Sequence, residues 1–262
     1  MNVSKQRQEA LDRYLNKTFK TNNSGNVTVI EYHNSTKILV KFLDTGNTRF
    51  VRATDLNKGE VRDSSVARYY GFGVLDQKIT QDKETVIAYN IWEKMLSRCY
   101  NDKCSDRTRL AYANVHVSET FKLFSNFTDW CKKQKGFGEK DENGKLFALD
   151  KDILSKDIKV YSEDTCCFVP REINALFAIR HNKRGKYPLG VTKHTKCDKY
   201  NAKLSKNGVV KYLGLFNTPE EAFYVYKEAK EAYIKDVANK YKDHIDGRVY
   251  EKLMNYKVLI TD

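Results

Sequence analysis

Ten lysines and arginines against a single acid, Asp198, stand between Arg180 and Phe216. Arg180, Lys183, Arg184 and Lys186 open this run, and Lys193, Lys196, Lys199, Lys203, Lys206 and Lys211 continue it among Tyr187, Tyr200 and Tyr212. Cationic side chains at that density attract polyanions. Interleaved Tyr, Asn and Thr add hydroxyls and amides suited to phosphates and base edges. Nucleic acid is the partner this chemistry predicts.

Residues able to do covalent or metal chemistry are sparser. Asp150 and Asp152 flank Lys151 and could bind Mg²⁺ through carboxylate oxygens. The competing reading makes the same three residues surface ion pairs and hairpin turns. His33 lies in a turn and His244 in the C-terminal tail, while His181 and His194 sit in the basic segment as phosphate neighbours. His116 alternates with Val115 and Val117 and should face away from the core. No pair of histidines has H-x-x-x-H spacing, and the six cysteines contain no C-x-x-C, so a zinc site of the usual spacing is not expected. Those cysteines read as small buried thiols. Gly136-Phe137-Gly138 lacks the Lys-Ser/Thr ending of a phosphate loop.

The elements that must position these residues follow from periodicity. Alternation over 27–32 and 37–42 predicts two half-buried strands, 48–53 a third, and 54–59 a short helical turn closed by Gly59. Such short curved strands suggest a small barrel, whose exposed edge is open to a peptide or DNA partner. Residues 63–83 read as a connector. From Thr85, the apolar positions Val86, Tyr89, Trp92, Met95, Leu96 and Cys99 recur at helical steps, followed by a loop over 101–109. Phe121, Phe124, Phe127 and Trp130 form a second helical stripe, read as core rather than as a base-stacking platform. Strand-like segments over 146–154 and 160–170 lead into a helix from Arg171 to Ile179. Thr218, Pro219 and Glu221 carry the signature of a capped helix whose apolar face includes Ala222, Phe223, Tyr226, Tyr233 and Val237. The tail over 243–262 should dock back through Leu253, Met254 and Tyr256.

The formal charge of +13 and pI near 9.3 extend the polyanion argument to the whole chain. No apolar run approaches the roughly 18 residues of a bilayer span, and the basic residues do not share one long amphipathic helix, so no membrane partner is expected. Residues 1–20 lack an apolar signal core, which predicts a reducing cytosolic location, in the host cytosol or nucleoid.

Gly190-Val191, Lys193, Tyr200, Ala202, Tyr212-Leu213-Gly214, Phe216, Thr218, Glu220-Glu221-Ala222 and Tyr226 give the segment 187–241 a resemblance to the Apetala (ethylene-response-factor) type of DNA-binding domain. The resemblance implies a three-stranded antiparallel sheet in the major groove with a helix behind it. It also implies that Lys193, Lys196, Lys199, Tyr200, Lys203, Lys211 and Tyr212 face DNA. Lysines stand at several positions where that family carries arginine, which favours backbone positioning over bidentate guanine readout.

The middle of the chain resembles phage proteins related to HNH nucleases. Trp92 to Tyr100, the helix over 124–130, Leu149-Asp150-Lys151, Tyr161-Ser162, Cys166, Phe168-Val169 and Asn174 carry the likeness. It implies a ββα module in which Lys151 stands where the general-base histidine belongs. Thr165 stands at the central asparagine and Asn174 at a metal-contacting position. A lysine serves as base only if its pKa, ordinarily about 10.4, falls by several units. The N-terminal residues 16–21, 29–32 and 42–46 resemble a small β-barrel module of the same phage proteins, one that brings no activity.

The expected fold is therefore α+β in three modules. These are a small β-barrel over 1–70, a degenerate HNH-like ββα module over 84–180, and an Apetala-type sheet and helix with a helical tail over 186–262. The expected function is double-stranded-DNA binding, sequence-directed and without cleavage, in a phage-type regulator descended from a homing endonuclease and requiring no cofactor. One alternative is an active Mg²⁺-dependent endonuclease using Asp150, Asp152 and Asn174. Another is an RNA-binding or scaffold protein that engages a protein partner through the N-terminal barrel.

Overall fold

The computed structural model describes residues 3–155, 158–177, 186–206 and 208–260. The chain is α+β and divides into two compact units, Met1–Lys78 and Ile79–Asp262.

In the first unit, helix α1 (Val3–Tyr14) precedes strands β1 (Thr18–Lys20), β2 (Asn26–Asn34), β3 (Lys37–Phe42) and β4 (Thr48–Val51), and helix α2 (Ala53–Asn57) follows. Helix α1 was not foreseen from the sequence. The strands form an antiparallel meander in chain order. Alternation puts Val27, Val29, Ile38, Val40 and Phe42 on one face, where they pack in a core with Leu56 and Tyr14. Tyr14 stacks on Tyr32 at 5.6 Å, and its hydroxyl accepts a hydrogen bond from Asn57 Nδ2 at 2.9 Å.

The expected barrel is corrected to an open sheet with β1 and β4 as its edges. Strand β1 has only three residues, and just beyond it the Asn22 N–H donates to Gly59 O at 2.8 Å instead of extending the sheet.

The second unit begins with α3 (Lys83–Tyr100), whose N-cap Asp82 accepts from the Thr85 N–H at 2.8 Å. Then come α4 (Asp106–Tyr112), β5 (His116–Val117), α5 (Glu119–Lys122) and α6 (Phe124–Lys132). The loop expected over 101–109 thus gives way to α4 from Asp106 onward. Trp92, Phe121, Phe124 and Phe127 are fully buried, and Trp92 Nε1 donates to Phe121 O at 2.7 Å. Ring contacts link Trp92 to Phe124 at 5.4 Å and Phe121 to Trp130 at 4.9 Å, so this aromatic stripe is core.

Strand β6 (Ala148–Asp150) pairs antiparallel with β8 (Cys167–Val169), while the intervening β7 (Val160–Tyr161) pairs parallel with β5. Helix α7 (Arg171–Leu176) follows. Strands β9 (Val191–Lys193), β10 (Tyr200–Lys206) and β11 (Val209–Phe216) form an antiparallel sheet with β10 in the centre. Helix α8 (Pro219–Lys240) packs on all three strands, and α9 (Gly247–Met254) packs on α8. The expected capping box opens α8, with Thr218 Oγ1 accepting from the Glu221 N–H at 3.2 Å.

The segments read as separate central and C-terminal modules share this one unit. Glu172 on α7 accepts from Lys240 Nζ at 2.9 Å, from the Tyr241 hydroxyl at 3.1 Å and from the Tyr233 hydroxyl at 3.3 Å. That carboxylate holds the Lys240 ammonium above the usual lysine range. The tail docks as expected, with Val249 and Leu253 fully buried. Among the described residues, no helix is long and apolar enough to cross a membrane.

Candidate nucleic-acid interface

The sheet of β9, β10 and β11 has two unlike faces. Ala202 and Leu204 are buried toward α8, together with Val191, the partner of Ala202 on β9. Lys206 continues this side, its ammonium 4.6 Å from the Tyr233 ring of α8. By strand alternation, Asn201, Lys203 and Ser205 point the other way. Lys203 is directly opposite Tyr212, Ser205 opposite Val210, and Asn201 opposite both Thr192 and Leu215.

A bulge between Ala202 and Lys203 shifts the β11 register, so its outward residues are Val210, Tyr212 and Leu215 rather than a regular alternation. Gly214, at φ +145°, makes this bend. The outward face thus presents Thr192, Lys203, Ser205, Val210, Tyr212 and Leu215 to solvent, while Asn201 is buried among them.

This geometry divides the residues singled out from sequence. Lys203 and Tyr212 share the outward face. Tyr200 pairs with Lys193 and Phe216, and Lys211 with Leu204, which places all of them on the helix side in register. Tyr200 packs half-buried against Tyr187, with ring centroids 5.2 Å apart. Lys193 is bound to Asp198 at 2.8 Å, an exposed pair whose contact raises the lysine and lowers the carboxyl. Lys196 and Lys199 are exposed in the β9–β10 loop, and Lys186 is exposed ahead of β9. Arg180, Lys183 and Arg184, with His181, lie outside the described residues. Thr192, Ser205, Val210 and Leu215 were not singled out from sequence.

The suspected catalytic cluster is built differently from a metal centre. Asp150 Oδ1 accepts the backbone N–H groups of Asp152 and Ile153, both at 2.8 Å, and so closes the turn after β6. Burial raises its carboxyl above the ordinary 3.8, against the pull of those amides. Lys151 is buried, forms an ion pair with Asp152, and lies 5.9 Å from the Tyr161 ring centroid. It is therefore not the surface residue expected of it, although the ion pair and turn are present.

Thr165 Oγ1 donates to Val160 O at 2.6 Å and accepts from the Ser162 N–H at 3.0 Å, fastening the β7–β8 turn. Asn174 lies on α7 with its Oδ1 buried and without a hydrogen-bond partner among the described residues. Oδ1 of Asp150 is thus engaged by two backbone amides and Oδ1 of Asp152 by the buried Lys151 ammonium. Among the described residues, no three His, Cys, Asp or Glu side chains cluster as a metal site.

Cys131, Cys166 and Cys167 are the buried thiols expected, and burial pushes Cys166 up to about 12. Cys197 departs from that reading. It is exposed in the β9–β10 loop, with Sγ 3.3 Å from His194 Nδ1. The Lys196 N–H donates to the same Nδ1 at 3.1 Å. His116 is exposed beside buried Val117, as alternation requires. In the first unit, edge strand β4 presents Phe50 half-exposed, with Lys37 Nζ 5.0 Å from its ring centroid.

Comparison with family models, curated proteins and solved structures finds no match.

Proposed function

We propose that this chain binds double-stranded DNA through the outward face of β9, β10 and β11, and that it does so without cutting. The observation that carries the reading is the Lys203–Tyr212 pair. A cation and an exposed aromatic hydroxyl face each other at the centre of a sheet whose other side is sealed by α8. The outer strands of a three-stranded sheet lie about 10 Å apart, within the roughly 12 Å width of the major groove. Lys186, Lys196 and Lys199 lie in the segments leading into and out of β9, available for phosphates. The resemblance of 187–241 to Apetala-type domains supports the same placement. The non-cutting part rests on Asp150 Oδ1 being engaged in a backbone turn, on Asp152 Oδ1 being paired with Lys151, and on Lys151 standing at the position of a base.

The test is duplex binding followed by fluorescence anisotropy over 50 to 300 mM salt, with single-stranded RNA of equal length as competitor. Phosphate contacts predict a linear fall of log K against log salt with a slope near −0.9 per neutralised phosphate, so roughly −3 to −5 for a face of this size. A flat salt response, or RNA preferred by tenfold, would overturn the reading.

A further inference from the structure

The outward face is less polar than its cationic surroundings suggest. Val210 is 63% exposed, Tyr212 55% and Leu215 38%, and they share that face with Lys203 and with Thr192 and Ser205, whose hydroxyls add to that of Tyr212. Asn201 is buried, and among the described residues the outward face carries no arginine or glutamine. Bidentate reading of adenine needs an amide, and a lysine such as Lys203 reads guanine with less geometric specificity than an arginine fork. Hydroxyls discriminate weakly because they donate and accept. Of the groups a major groove displays, only the C5-methyl of thymine is apolar, and it is read by apolar contact, from an aliphatic or aromatic side chain or a threonine methyl.

We propose that this face recognises pyrimidine C5-methyl groups, so that the preferred ligand is a thymine-rich duplex. Val210 and Leu215 supply the aliphatic contacts and Tyr212 the aromatic one, while Lys203 and the neighbouring lysines hold the backbone. The inference rests on the DNA-binding reading and adds to it the base chemistry that is read. Exposed valine and leucine on a solvent-facing strand are costly to leave wet. A methyl-lined groove covers them, and the surrounding positive charge favours a polyanion over an apolar protein surface.

The test uses four 30-base-pair duplexes at one salt concentration. These are alternating adenine–thymine, the same with uracil for thymine, alternating guanine–cytosine, and the same with 5-methylcytosine. Each buried methyl is worth about fourfold in affinity, so two or more contacted methyls predict at least a tenfold preference for thymine over uracil. The methylated cytosine duplex should gain over its unmethylated form in the same sense, which separates the methyl from groove shape. Val210→Ser, at an exposed position and lacking both methyls, should shrink the thymine-to-uracil ratio about threefold or more while leaving the salt slope unchanged. Equal binding to all four duplexes overturns methyl recognition and leaves DNA binding standing. Tighter binding to unmethylated guanine–cytosine than to adenine–thymine also overturns it. Binding to none overturns the DNA-binding reading itself.

Discussion

Gly190 turns, at φ +75°, directly against the ring of Tyr226, so closely that a Cβ on residue 190 would overlap the ring carbons. The Gly190 carbonyl meanwhile accepts the Lys203 N–H at 2.8 Å. One residue therefore seats the entry to β9 on α8 and ties it to the strand carrying the proposed DNA-facing lysine. Gly190→Ala adds a left-handed backbone cost to an overpacked contact, together about 2–4 kcal/mol. Urea unfolding followed by circular dichroism should show that loss. A change below about 0.5 kcal/mol would mean that the turn repacks freely.

Lys203 and Lys206 are three residues apart on β10 and face opposite sides of the sheet. Lys203→Glu should weaken duplex binding by tenfold or more and reduce the salt slope by about 1–2, with little effect on thermal stability. Lys206→Glu should do the reverse, disturbing the contact with Tyr233 while leaving affinity within about threefold after allowance for net charge. Equal losses of affinity in the two variants would show that total charge, not this face, governs binding.

Lys206 also shows what could be read from the sequence. The strands, the capped helix and the buried aromatic stripe were legible because alternation and helical spacing are local properties of the chain. Which lysines share a face was not, because the bulge at Ala202 and Lys203 changes the pairing register of β11. Without that offset, Leu215 would fall on the helix side instead of opposite Asn201 on the outward face. Helix α1 escaped notice because its first two turns are almost wholly polar, and most of its residues are exposed. The barrel was over-read because strand length alone does not say whether edges meet. Around Asp150, the sequence offered both a metal ligand and a turn. The backbone amides that decide between them come from Asp152 and Ile153, whose positions depend on the fold.

Asp246 supplies a pH dependence with a definite sign. It caps α9 by accepting the Arg248 N–H at 2.8 Å, and it accepts from Arg248 Nη2 at the same distance. The guanidinium of Arg248 holds its carboxyl below the ordinary 3.8, and burial opposes this only in part. A depressed carboxyl stabilises the fold above its unfolded value, and the contribution is lost as pH falls below about 3.8. Asp246→Asn should keep the cap but flatten the acid limb of stability against pH. Asp246→Ala should cost about 1 kcal/mol at neutral pH. An unchanged acid limb in Asp246→Asn would assign that limb to other carboxylates.

Asp150 separates a turn-forming residue from a catalytic one. As a metal ligand it would be needed for cutting and dispensable for folding, whereas its two backbone contacts make it structural. Supercoiled plasmid incubated with the protein and Mg²⁺ or Mn²⁺ should therefore remain supercoiled while being retarded on a gel. Asp150→Ala should lose about 1–3 kcal/mol of stability, because two amides of a partly buried turn lose their acceptor. Asp150→Asn, which keeps an oxygen at the same place, should recover most of that loss. Metal-dependent nicks that vanish in both variants and with EDTA would make Asp150 a ligand after all. The attacking water would then be activated either by the metal alone or by Lys151, which is buried and held by Asp152.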